Sequence, residues 1–234
     1  MRVCIIGSGL SALTLAKALV NLNIIVDVDT ENKKEKINQS RTIGISKSNL
    51  EYFNKNIINI EKKIWKLKKI EIYTDNLKKE KILKFENNDD QLFSIVKNYK
   101  IYDLLNSNLS NNKYFNKIKL TKKLIASNKY DLFINTDYKS VFTKKFFNKK
   151  IVKSYNSLAY TTIIKHEKIK NDTATQIFTK LGPLAFLPIS NDKTSIVFSI
   201  HNFEKNKIQN INKLIQQYNF KYKIKKIDKI ECFD

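Results

Sequence analysis

Gly7-Ser8-Gly9-Leu10-Ser11-Ala12 is the segment whose residue types and spacing could do chemistry. It matches G-x-G-x-x-G/A, directly after the apolar run Val3-Cys4-Ile5-Ile6 and directly before a helical pattern, the context a dinucleotide-binding turn requires. Gly7 suits the tight turn, Gly9 lets backbone approach a pyrophosphate, and Ala12 is small enough for the helix to lie close to the strand. The helix start adds free N–H groups and the positive end of its dipole. Glycine is scarce, four in 234 residues, and two of the four stand in this turn. An ordinary strand-to-helix turn that binds nothing is the plainer reading, and the placement of scarce glycines argues against it. A carboxylate at the end of the next strand, about twenty residues on, would accept the ribose hydroxyls. Asp29 and Glu31 both qualify, and Asp29 is preferred.

The elements that must position these residues follow from periodicity. Val3 to Ile6 reads as a buried parallel strand. Leu10, Leu13, Ala16, Leu19 and Val20 fall on one face of a helix over 10–22, and Ile24 to Asp29 forms a second strand. The chain therefore opens on a β-α-β unit. The spacing predicts a helix over Lys47 to Ile60, two strands between Ile70 and Phe85 around the polar turn 74–81, a helix over Gln91 to Leu109, and a buried strand at Tyr130 to Ile134. The last third reads as β-rich, with strands at 158–164, 175–178, 184–187 and 195–200, a helical face at Ile208, Ile211, Ile215 and Tyr218, and an extended end at 222–230.

All but two of the 44 basic residues are lysine, against 22 acidic ones, for a formal net charge of +22. Readers of phosphate and base edges favour the forked donors of arginine. A lysine excess that accompanies many Ile and Asn and few Gly, Pro and Arg fits compositional drift, so nucleic acid is not the expected partner. An anionic membrane surface is compatible with it, as a peripheral contact. Cys4 and Cys232 offer neither a disulfide framework nor a CxxC metal site and fit a reducing cytoplasm. No apolar run is long enough to span a bilayer. His166 and His201 are the only histidines, too far apart in sequence to suggest a metal cluster.

Three segments, taken in order, resemble the FAD-dependent aromatic-ring hydroxylases, and within them most closely the ubiquinone-biosynthesis hydroxylases. They are the opening β-α-β unit, Arg41-Thr42-Ile43-Gly44-Ile45-Ser46 before a helix, and Phe178-Thr179-Lys180-Leu181-Gly182-Pro183-Leu184-Ala185-Phe186-Leu187-Pro188 followed by the strand at Ser195-Ile196-Val197-Phe198. The resemblance implies that Gly7, Gly9, Leu10, Ser11 and Ala12 take the FAD pyrophosphate. It also implies that Arg41 contacts the flavin and that Asp137 stands for the Asp of an Asp-Gly pair touching flavin and nicotinamide cofactor. The glycine of that pair is replaced by Tyr138. The segment 117–130 is short for the β-meander the family places there, and the family's second flavin-binding Gly-Asp segment would be expected beyond Asp234.

The expected fold class is therefore α/β, a Rossmann-like FAD-binding layer interleaved with an incomplete antiparallel β-sheet substrate domain. The expected division is 1–70 with 92–157 for the nucleotide layer, and 71–91 with 158–234 for the sheet. The resemblance implies an FAD-dependent monooxygenase using NAD(P)H and O₂ on a polyprenyl-phenol ring, cytoplasmic and peripheral to the inner membrane. The alternative is a catalytically inactive or partner-dependent nucleotide-binding relic, with another chain completing the flavin site. No side chain is assigned as catalytic acid or base and no metal ligand is expected, because in such enzymes the cofactor carries the chemistry.

Overall fold

The computed structural model describes residues 1–30, 38–75, 80–87, 91–121, 124–125, 128–146, 151, 153, 155–201 and 210–233. The chain divides into two compact units, one of Met1–Asn38, Ser48–Lys63 and Asn98–Val152, the other of Gln39–Lys47, Ile64–Lys97 and Lys153–Asp234. These bounds differ from the expected division chiefly in placing 39–47, 64–70 and 92–97 with the second unit.

The first unit is built on β1 (Arg2–Ile6), α1 (Leu10–Asn21) and β2 (Ile25–Asp29), the expected β-α-β opening. With β8 (Phe115–Ile118) and β9 (Leu132–Asn135) they form an all-parallel sheet in the order β8-β2-β1-β9, and a short helix, α4 (Val141–Phe146), follows β9. Val3, Ile5, Val26 and Val28 are fully buried on one face of it. Ala12, Leu13, Ala16 and Val20 form the buried stripe of α1, which packs on β1, β2 and α3 (Asn98–Ser110). Strand order reverses between β1 and β9, and in parallel α/β sheets the crevice beyond the strand ends at such a reversal is where ligands bind.

The run Tyr130 to Ile134 does form a strand, but not the buried one expected: β9 is an edge, with Leu132 43% and Phe133 37% exposed. The helix expected over 47–60 stops earlier, as α2 (Lys47–Asn56), where Asn21 Nδ2 donates to the carbonyls of Asn56 and Ile57, both at 2.9 Å.

The second unit carries an eight-stranded sheet whose path is β14 (Ile224–Ile227), β10 (Ser157–His166), β13 (Lys193–His201), β12 (Gly182–Pro188), β11 (Thr173–Thr179), β5 (Lys69–Thr74) and β6 (Lys81–Glu86). β15 (Glu231–Phe233) also pairs with β10. All pairs are antiparallel except β11 with β5. One face packs under α5 (Ile211–Tyr218) around Ile164, Leu184, Phe186, Ile196, Phe198 and Ile215. A three-stranded sheet, β3 (Thr42–Ser46), β7 (Phe93–Lys97) and β4 (Ile64–Leu67), completes the unit around Leu67, Ile95 and Ala174. Here the expectation is corrected: Gln91 to Leu109 is not one helix, because Phe93–Lys97 pairs with β3 and β4 on both sides before α3 begins.

Candidate functional site

The glycine turn has the geometry its sequence asks for. Gly7 sits at φ +111°, in the region that favours glycine, and a Cβ there would stand 2.5 Å from Thr136 Oγ1. Gly9 is different: at φ −75° and ψ −180° it is extended backbone open to any residue, and a Cβ built on it meets nothing within 4 Å. Gly9 is the N-cap of α1, no side chain caps the helix, and its first turn holds no acidic residue. The N–H groups of Leu10, Ser11 and Ala12 precede the first helical bond, Leu13 N–H to Gly9 O at 3.1 Å. Ala12 is buried against the sheet, as close helix packing requires. An uncapped helix start with empty space at its glycine fits a pyrophosphate held by backbone.

The strand beyond the reversal brings a second corner to this turn. Thr136 donates to the Ile6 carbonyl with both its N–H, at 2.9 Å, and its hydroxyl, at 2.8 Å. Asp137 follows, its Cβ and N each 3.4 Å from where a Gly7 Cβ would be. Its carboxylate accepts the Lys139 N–H at 2.9 Å, an Asx turn that stops it from swinging free. Tyr138 extends 68% exposed, and it is not among the described non-glycine residues with positive φ, which are Asn23, Asn128 and Asn156. Thr136 was not singled out from sequence; only the register Ile6 to Asn135 shows that it braces the glycine turn.

Asp29 ends β2 beside Ile6, the position a ribose acceptor needs. It is nearly buried, and Oδ1 already accepts the Leu120 N–H at 3.0 Å. Glu31 lies outside the described residues. Arg41 belongs to the second unit, where its guanidinium carbon lies 5.2 Å from the Phe233 ring centroid. The structure thus gathers Gly7, Gly9, Leu10, Ser11, Ala12, Asp29 and Asp137 in one unit and holds Arg41 in the other.

Sequence reasoning also missed a buried charge, Asp27. It is inaccessible to solvent, yet Arg2 donates to both its oxygens at 2.8 to 3.0 Å, Asn116 Nδ2 at 2.8 Å and the Tyr130 hydroxyl at 2.8 Å. Burial alone would raise the carboxyl pKa; the hydrogen bonds from Asn116, Tyr130 and Arg2 and the Arg2 charge outweigh it and hold the pKa below its ordinary value. The neighbouring Cys4 thiol is pushed up to about 12, first by burial and then by the Asp29 and Asp27 charges. This network secures β1, β2, β8 and the entry to β9, and so the sheet that carries the turn.

In the second unit the segment Phe178 to Pro188 is the hairpin of β11 and β12. Gly182 closes it at φ +136°, where a Cβ would stand 2.2 Å from the Ser199 carbonyl oxygen. His166 is structural: Nδ1 is 2.8 Å from the Glu167 carbonyl, which can only accept, and Nε2 is 3.0 Å from Thr194 Oγ1.

No family model and no curated protein matches the chain. Its fold is that of FAD-dependent monooxygenases. p-Nitrophenol 4-monooxygenase PnpA from Pseudomonas putida DLL-E4 superposes with a TM-score of 0.73 over 99% of this chain and 67% of its own length, at 10% identity. PqsL, a probable FAD-dependent monooxygenase from Pseudomonas aeruginosa, does so at 0.65 over 86% and 60%, with 13% identity. HpxO from Klebsiella pneumoniae, solved with FAD and uric acid, gives 0.62 over 86% and 56%, with 11% identity. The chain therefore spans between 56% and 67% of the length of these structures. Among the described residues, no helix is long and apolar enough to cross a membrane.

Proposed function

We propose that this chain binds FAD at the Gly7–Gly9 turn and takes part in monooxygenation of an aromatic ring, a polyprenyl phenol of the ubiquinone-precursor type. The observation that carries the reading is the uncapped start of α1, with open space at Gly9, at the strand-order reversal of a fold shared with a probable FAD-dependent monooxygenase. The N–H groups of Leu10 and Ser11 would hold the pyrophosphate, and Ala12 lets α1 sit close enough for them to do so. Asp29 or Glu31 would take the ribose. Arg41 and Asp137 are assigned to the flavin end by resemblance. FAD, when bound, supplies the redox chemistry, with NAD(P)H as reductant and O₂ as oxidant. The ubiquinone assignment rests on the segments 41–46 and 178–188. The lysine-rich surface would keep the protein at the anionic inner face of the membrane, where such a substrate resides.

A second reading, a nucleotide-binding subunit that is inactive alone or needs a partner chain, is favoured by Tyr138, which stands where the resemblance has glycine. One experiment separates them. The purified chain is titrated with FAD by flavin fluorescence, then supplied with NADH or NADPH, O₂ and a short-chain polyprenyl phenol, with product followed by mass spectrometry and peroxide by a coupled assay. Hydroxylated phenol supports the first reading, and FAD binding with peroxide or no turnover supports the second. Absence of FAD binding removes both.

A further inference from the structure

We propose that the second unit carries a separate ligand site, for a small aromatic molecule bearing both an amine and an acidic group, beside the C-terminal end of α5. The cavity there has a volume of about 720 Å³, in the range of small-molecule sites. It lies on the sheet face that packs under α5, and it uses none of the residues assigned to the flavin. Tyr73, Tyr218 and Phe220 supply three aromatic walls and Ile177 an apolar one. Tyr73 and Phe220 meet edge-on, with centroids 5.1 Å apart and planes at 65°. The Tyr73 hydroxyl donates to Glu71 Oε2 at 2.9 Å, and its pKa is pushed up to about 12 by burial and by that carboxylate, so the ring is a fixed, neutral wall.

Phe220 remains 43% exposed although it borders this cavity. A ring laid against Phe220 and Tyr218 on the open side of the Tyr73–Phe220 pair would cover that apolar surface and gain the offset and edge contacts that aromatic pairs prefer. The polar groups converge at the same rim. Asp75 Oδ2 accepts the Lys180 N–H at 2.9 Å and the Tyr218 hydroxyl at 3.4 Å. Asp75 is half-buried at this rim, and a carboxylate accepts through both of its oxygens, so it can take an ammonium beside these two donors. An ammonium beside Asp75 and three rings gains from both the carboxylate and the aromatic faces. Lys180 lines the same cavity and supplies the charge that an acidic substituent needs. An aromatic amino acid has this set of groups on one small frame.

The test is calorimetric titration of the full chain with L-tryptophan, L-tyrosine and L-phenylalanine, with indole and L-alanine as probes that each lack half of the recognised chemistry. At least one of the three amino acids should bind saturably at one site per chain. Indole and L-alanine should bind at least tenfold more weakly. Phe220→Ala and Asp75→Asn, each checked for folding by circular dichroism, should weaken the amino acid at least tenfold. Phe220→Ala should leave FAD binding as in the wild type, which separates this site from the flavin turn. The proposal is overturned if none of the three amino acids binds saturably. It also falls if indole binds as tightly as the amino acid, or if both variants bind like the wild type.

Discussion

Replacing Gly9 by valine separates folding from cofactor binding, because the structure leaves that position open. Its backbone is extended rather than left-handed, and a Cβ meets nothing within 4 Å, so the branched side chain costs the fold little. The N-cap preference of glycine over valine is worth about 1 kcal/mol or less, which for a chain of this size lowers Tm by about 2–4 °C. A pyrophosphate seated on the N–H groups of Leu10 and Ser11 would pass through the space the valine now fills. Loss of FAD affinity by about 100-fold or more is expected, equivalent to about 2.8 kcal/mol, with Gly9→Ala between the two. Flavin fluorescence titration reads the affinity and differential scanning calorimetry reads the Tm. FAD bound to a folded Gly9→Val as tightly as to wild type would refute the placement of the pyrophosphate. A Tm drop of about 10 °C would refute the open space.

Gly7→Ala should behave in the opposite way: at φ +111°, with Thr136 Oγ1 at 2.5 Å, it should cost about 1–3 kcal/mol of stability in urea unfolding even without FAD, and an unchanged midpoint would show the turn to be relaxed. Asp27→Asn tests the buried network. Because the folded pKa of Asp27 lies below its unfolded value of about 3.9, the stability it contributes is present above that value and lost as pH falls through the folded pKa. The variant should therefore be weaker than wild type by about 2 kcal/mol at neutral pH, less than a fully buried pair because Arg2 reaches solvent. That gap should narrow below about pH 4, and a gap independent of pH would remove the charge from the explanation. With Cys4 buried and its pKa near 12, an aromatic disulfide reagent at pH 8 should modify one thiol, Cys232, in the native protein and two in denaturant. Two fast thiols in the native state would contradict the burial.

What the sequence by itself determined is local. The β-α-β opening, the glycine turn, the hairpin of β11 and β12 and the amphipathic face of α5 each lie within a short window, where periodicity and a glycine with no Cβ leave few conformations. Tertiary structure decided whatever depends on a partner far along the chain. Phe93–Lys97 became a strand because Thr42–Ser46 and Ile64–Leu67 flank it, and pairing on both sides outweighs a local pattern compatible with helix. Leu132 and Phe133 lie exposed because, among the described residues, β9 pairs with β1 alone, a fact of strand order and not of residue type. Asp27 reads in sequence as one more charge on a strand; its burial follows from Arg2, Asn116 and Tyr130, between 25 and 103 residues away, converging on one carboxylate. The brace of Thr136 on the Ile6 carbonyl, next to Gly7, spans 130 residues. Contacts of this kind leave no periodic trace, since their energy is gained only after the chain has closed the loop between them.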